Sequence, residues 1–184
     1  PPRSTLFPYT TLFRSRTELC IHPDDPPRPL MGLPRIVSTH DDLSHIVNAV
    51  SSPANGVTFC TGSLGGGAYN DVPAMAQDFA RYTAFAHLRN VSKEPNGSFH
   101  ETDHLGGDIH MVRVVKALLE EEERRQAEGR EDWQIPFRPD HGHVLLSDAG
   151  RKTHPGYTLI GRMKGLAELR GVIAALSHKG VPLG

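Results

Sequence analysis

The chain has 184 residues, with 20 Lys and Arg against 21 Asp and Glu and 38% hydrophobic residues, enough apolar material for one core and too much for a disordered tail. A formal charge of −1 offers nothing to a phosphate backbone, and no run approaches the roughly 18 consecutive apolar residues of a membrane helix, so neither nucleic acid nor membrane is an expected partner. Two cysteines, Cys20 and Cys60, cannot build a disulfide framework and point to a reducing compartment, the cytoplasm, and to thiol or metal chemistry; the 11 histidines are the stronger hint.

Residues 1–15, PPRSTLFPYTTLFRS, show no cap, no period and no charged face, and their basic and apolar residues are not ordered as in a secretory signal. Reverse translation of 5–15 can spell a short-read sequencing adapter read in frame. These residues are expected to be an artefactual extension outside the fold, which leaves 16–184 as the folding unit.

From residue 16 onward, strand-like and helix-like stretches alternate. Apolar runs at 18–21, 56–60, 83–88 and 134–138 read as strands, and 41–50, 71–82, 108–127 and 162–177 read as helices. Helix starts are marked by Thr39 or Asp41, by Asn70 and by Asp108. In the third helix Met111, Val112, Val115, Leu118 and Leu119 form the expected buried stripe, ahead of a solvated charge run at 120–125. Such alternation implies parallel strands with right-handed crossovers. The loops after Ile21, Leu88 and Arg138 are long and rich in His, Asp, Pro and Gly, as on the carboxyl-end face of a (β/α) barrel. Four βα units make half of an eight-unit barrel of about 250 residues. The expected fold is therefore α/β, a partial (β/α)8 TIM barrel whose open edges call for a partner; a smaller doubly wound sheet is the other architecture.

Each predicted strand ends at a potential ligand: His22 in IHPDDPP, Cys60 in TFCTGSLG, His87 in FAHLRN and Asp140 in RPDHGH. Their wide separation excludes a local zinc knuckle, yet neighbouring parallel strands bring distant residues into one coordination sphere. Imidazole, thiolate and carboxylate suit a borderline divalent cation. Taken singly, Cys60 also reads as a small core residue, His22 and His87 as strand-end histidines and Asp140 as a loop cap.

Several blocks, IHPDDPPRPLMGLPRIVS, FCTGSLG, HLRN, GSFHETDHLGGD and RPDHGH followed by PGYTLIGRMKGLAELRG, resemble the carboxyl-terminal half of the D-mannonate dehydratases, over residues 16 to about 176. The resemblance implies a xylose-isomerase-like barrel, of which this chain supplies the last four βα units. It also implies a hydro-lyase that dehydrates D-mannonate to 2-keto-3-deoxy-D-gluconate in glucuronate catabolism. The ligand set of that family matches His22, Cys60, His87 and Asp140, and its acid/base pair matches His141 and Tyr157. A thiolate by itself favours Zn²⁺ or Fe²⁺; the resemblance implies Mn²⁺, with Fe²⁺ second. A homo-oligomer is the expectation for a full-length parent.

Removing the C2 proton of a sugar acid while expelling the C3 hydroxyl needs one group to take a proton and another to give one. His141, with a reference pKa of about 6.5, can do either, and Tyr157, near about 10, is a natural donor; the sequence does not assign the base. Arg89 is a candidate to grip the sugar carboxylate, with a salt bridge as the alternative. His100 and His104 are candidate substrate contacts, or members of a solvated loop. The glycines at 62 and 65–67 do not follow a phosphate-loop spacing and read as a substrate backbone contact or a tight turn. His143 and His154 read as orienting groups or as exposed residues. A sugar isomerase or epimerase on the same fold, and an inactive metal-binding fragment, are the other functional readings.

Overall fold

The computed structural model describes residues 18–178, so the expectation for residues 1–15 lies outside the described residues. The elements run β1 (Leu19–Ile21), α1 (His40–Ala49), β2 (Asn55–Cys60), α2 (Thr61–Gly65), α3 (Val72–Phe79), β3 (Thr83–His87), β4 (Val91–Lys93), β5 (Phe99–Glu101), α4 (Met111–Ala127), β6 (Phe137–Arg138) and α5 (Leu159–Ser177). β1, β2, β3 and β6 pair in that order, every pair parallel, and the order never reverses within this sheet. On β2, Val57 and Phe59 on one face and Gly56 and Cys60 on the other are all buried, the double-sided burial of a parallel sheet. The core joins Val57 and Phe59 to Met75 and Phe79 of α3 and to Val114 and Leu118 of α4.

Hydrogen bonds decide where the helices begin. α1 starts after Thr39, whose hydroxyl accepts from Asp42 N (3.1 Å) while Asp42 Oδ2 accepts from Thr39 N (2.9 Å), a reciprocal capping box. α3 is capped by Asp71 rather than Asn70, because the Asn70 amide is spent on the carbonyls of Ser38 and Leu64. α4 begins three residues after Asp108, whose carboxylate instead accepts from Lys93 N at 2.9 Å. Its buried stripe runs through Met111, Val114, Val115 and Leu118, while Val112 is exposed.

α5 starts three residues before the expected 162. Buried Asp148 reaches across the preceding loop to accept from Ile160 N (2.8 Å) and Gly161 N (3.2 Å), satisfying first-turn amides from a distance. The strand expected over 134–138 shrinks to Phe137–Arg138, since Pro136 and Pro139 have no N–H to donate and Ile135 N turns to Glu122 Oε1. The segment after His87 is not a plain loop: β4 and β5 form an antiparallel hairpin pairing Val91 with Glu101. Buried Asn90 closes its base with four hydrogen bonds, to Val91 N, Ile109 N, Ile109 O and His104 O. Among the described residues, no helix is long and apolar enough to cross a membrane.

Arg125 on α4 fastens the amino end of the sheet. Its guanidinium donates to the carbonyls of Ala80, Arg81 and Thr83 and to Glu121 Oε1, and both side chains are almost wholly buried. Burial pushes the Glu121 carboxyl up, but hydrogen bonds from Arg124 and Arg125 outweigh it and hold the group below its ordinary 4.5. Removing one member of a buried pair strands the other.

Arg125→Ala is therefore expected to lower unfolding free energy by about 3 kcal/mol in urea denaturation; a loss below about 1 kcal/mol would contradict this role. The Glu121 contribution should be complete above pH 4.5 and fade as pH falls through the lowered folded value, so Glu121→Gln should cost less in acid than at neutrality. A second constraint is steric: a Cβ at Gly165 of α5 would lie 2.1 Å from Cε1 of the buried His104 ring. Gly165→Ala should cost about 1–3 kcal/mol by overpacking, and an unchanged denaturation midpoint would refute the close packing of α5 on that ring.

Candidate metal centre and active site

Parallel register brings the first donors together. Cys60 and His87, each the last residue of its strand, are direct partners across β2 and β3, and His22 lies one residue beyond β1. The Cys60 Sγ and one ring nitrogen each of His22 and His87 lie within 4.8 Å of one another. His22 Nδ1 donates to Pro23 O at 2.6 Å, which turns its Nε2 toward His87 Nδ1, 3.1 Å away. In the neutral ring that bond keeps the proton on Nδ1 and leaves Nε2 as the ligating atom, as in metal-bound imidazoles, whereas the protonated ring donates Nε2–H to Cys60. Ser63 Oγ donates to Cys60 Sγ at 3.1 Å. Burial pushes the Cys60 thiol up, yet hydrogen bonds from the two imidazoles, the Arg89 charge and the Ser63 hydroxyl prevail and hold it at about 6.

Asp140 stands beside this group without joining it: among the described residues, the atoms within 4.8 Å of one another are those of His22, Cys60 and His87 alone. It stands two residues beyond β6 in the left-handed backbone region, φ 63°, which few non-glycine residues adopt. Its Oδ2 is 3.9 Å from His87 Nδ1 and 3.4 Å from Arg89 Nε. Oδ1 is buried without a hydrogen bond, although Arg138 Nη2 neutralises it from 2.8 Å. Two imidazoles and a thiol poised to ionise, with the Asp140 carboxylate beside them, fit a divalent cation.

Beside these donors lies a proton-transfer pair with its own anchor. His141 Nδ1 is 2.7 Å from Glu101 Oε1, and His141 Nε2 is 3.3 Å from the Tyr157 hydroxyl. A carboxylate cannot donate, so the proton of the neutral ring sits on Nδ1 and Nε2 faces the phenol. The Glu101 bond raises the His141 pKa against the opposing effect of burial. Tyr157 is carried alongside by a parallel bridge to Gly142, closed by Gly142 N donating to Gly156 O.

The other expected substrate contacts fall elsewhere. Arg89 is 3% exposed; its guanidinium donates to Asp25 and Glu101 and lies against Asp140, so the charge expected to meet a sugar carboxylate is already paired inside the protein. A Cβ at Gly62 would sit 2.3 Å from Arg89 Nε, which explains a glycine there better than a tight turn does. His100 projects from β5 on the side opposite Glu101, as neighbouring strand residues must, and pairs with Glu94 in solvent. His104 is buried, its Nε2 bonded to Pro139 O at 2.6 Å. His143 and His154 are exposed.

Residues not singled out from sequence complete the cluster: Glu101, Asp25 and Ser63. Glu101 shares a polar loop with the chosen histidines, and only recognition of a two-residue alternation on β5 would have separated it from His100.

The D-mannonate dehydratase (UxuA) family profile matches residues 14–181. The mannonate dehydratase of Rhizobium meliloti is 56% identical over 168 residues, 90% of this chain and 42% of that protein. That of Chromohalobacter salexigens is 58% identical over 161 residues, 87% and 41% of the two chains. The crystal structure of mannonate dehydratase from Streptococcus suis serotype 2 superposes with a TM-score of 0.79 at 33% identity, covering 96% of this chain and 51% of that one. The chain spans less than half the length of the curated relatives it matches. With a family profile covering nearly all of it, the chain belongs to the D-mannonate dehydratase family.

Proposed function

We propose that this chain carries the metal-binding and proton-transferring part of an enzyme that converts D-mannonate to 2-keto-3-deoxy-D-gluconate and water. The observation that carries the reading is the meeting of Cys60 Sγ, His22 and His87 within 4.8 Å, with Asp140 Oδ2 3.9 Å from His87. The four-stranded parallel sheet, unreversed in order, supports reading the fold as the last four βα units of a (β/α)8 barrel, in which donors collect at the carboxyl ends of the strands. His22, Cys60, His87 and Asp140 would hold Mn²⁺, or Fe²⁺ in its place, and the soluble site would sit in the cytoplasm of a homo-oligomeric parent.

The bound ion would polarise the carboxylate and 2-hydroxyl of the sugar acid and stabilise the charge that develops when C2 loses its proton. The chain's own residues do the rest. His141 Nε2 and the Tyr157 hydroxyl share one hydrogen bond, so one of them accepts the C2 proton while the other protonates the departing C3 hydroxyl. Water leaves, and the resulting enol ketonises at C2 to the 2-keto-3-deoxy acid. Arg89 balances the acidic side chains around it rather than touching substrate. His100, turned to the solvent side of β5, and His104, buried against Pro139, stand apart from the reacting pair.

Mn²⁺ titration followed by elemental analysis should find one ion per chain, and single substitutions His22→Ala, Cys60→Ser, His87→Ala and Asp140→Asn should each weaken binding about tenfold or more. Stoichiometric metal retained in all four variants would overturn the ligand set. Placed in a chimera with the remainder of the Rhizobium meliloti relative, the chain should support formation of the 2-keto-3-deoxy acid from D-mannonate. His141→Ala and Tyr157→Phe should each lower kcat about 100-fold or more with metal content intact. Unchanged D-mannonate, together with conversion of a separately supplied ketose or uronate, would favour a sugar isomerase or epimerase instead.

A further inference from the structure

Glu101 has no part in the chemistry just described, yet its position is tightly determined. It ends β5, the strand that pairs with β4, and the base of that excursion is clamped by Asn90. Its carboxylate lies between Arg89, which donates to Oε1, and His141, whose Nδ1 is 2.7 Å from the same oxygen. Arg89 is held in turn by Asp25 and by packing over Gly62, so the carboxylate sits against a fixed guanidinium. Resting on the reading above, we propose that Glu101 is the positioning residue of the His141–Tyr157 pair: it keeps the His141 proton on Nδ1 and aims Nε2 at the reacting side.

The argument is one of hydrogen-bond polarity. Imidazole has two nitrogens and, when neutral, one proton. An acceptor fixed against Nδ1 compels that nitrogen to donate, leaving Nε2 to exchange protons with Tyr157 or substrate. Arg89 cannot serve in this way, because it only donates; its Nη1, 3.3 Å from His141 Nδ1, would favour the opposite tautomer if Glu101 were absent. The hairpin is thus what makes His141 usable, and it does so without contacting substrate or ion. The arrangement is that of a carboxylate orienting a catalytic histidine, as in hydrolase triads.

The test has two readouts. In the ¹⁵N-histidine-labelled chain, with the His141 signals assigned by their loss in His141→Gln, long-range ¹H–¹⁵N spectra should show the neutral ring protonated on Nδ1. Glu101→Gln can place its amide oxygen where Oε1 stood and should preserve that signature, whereas Glu101→Leu, of similar bulk without an acceptor, should move the proton to Nε2. In the chimera, Glu101→Leu should lower kcat about 100-fold or more, with KM within about threefold and Mn²⁺ stoichiometry unchanged, while Glu101→Gln stays within about tenfold of the parent. An Nδ1–H signature that survives in Glu101→Leu, a kcat within about twofold of the parent, or a loss of Mn²⁺ in step with activity would each overturn the proposal. A chimera inactive before any substitution would count against the dehydratase reading, and the tautomer readout would then decide the role of Glu101 by itself.

Discussion

Parallel pairing of short strands is the constraint on which the site depends. A parallel register puts the last residue of one strand beside the last residue of the next, so Cys60 and His87 are neighbours because β2 and β3 end together. His22 and Asp140 stand one and two residues past the ends of the outer strands, and the left-handed turn at Asp140 and the Pro23 hydrogen bond of His22 bring both inward. No local motif could bring these side chains near one another; they come from the ends of four separate parallel strands.

Charge is the second requirement. The mouth of the sheet gathers Asp25, Glu101, Asp140 and a readily ionised Cys60 around the buried guanidinium of Arg89. Buried charges persist only when paired, and each carboxylate here has a cationic neighbour while the thiol has donors on several sides. Arg89 therefore acts as an electrostatic keystone linking the loop after β1, the β4–β5 hairpin and the turn after β6. A divalent ion among His22, Cys60, His87 and Asp140 would complete the same balance.

Much of this was legible in the chain itself. The four ligand candidates each closed an apolar run, and alternation of runs and amphipathic stretches was enough to place them at one end of a parallel sheet. Capping by Thr39 was readable because both partners lie within one turn. What sequence could not supply were interactions with distant partners. Asp148 caps α5 across a loop, Asn70 and Asp108 spend their side chains on other segments, and Arg125 seals carbonyls more than forty residues away. The functional consequence is sharpest at positions 100 and 101, where strand alternation sends His100 outward and Glu101 to His141. A three-residue strand around a Pro-Asn-Gly turn carries too little pattern to reveal that choice in advance.

X-ray absorption at the manganese edge of the Mn²⁺-loaded chain interrogates the shared ion most directly. The proposed ligand set predicts one sulfur scatterer together with two imidazoles in the coordination shell, and loss of the sulfur alone in Cys60→Ser. A shell of oxygen and nitrogen without sulfur in the unsubstituted chain would contradict the account.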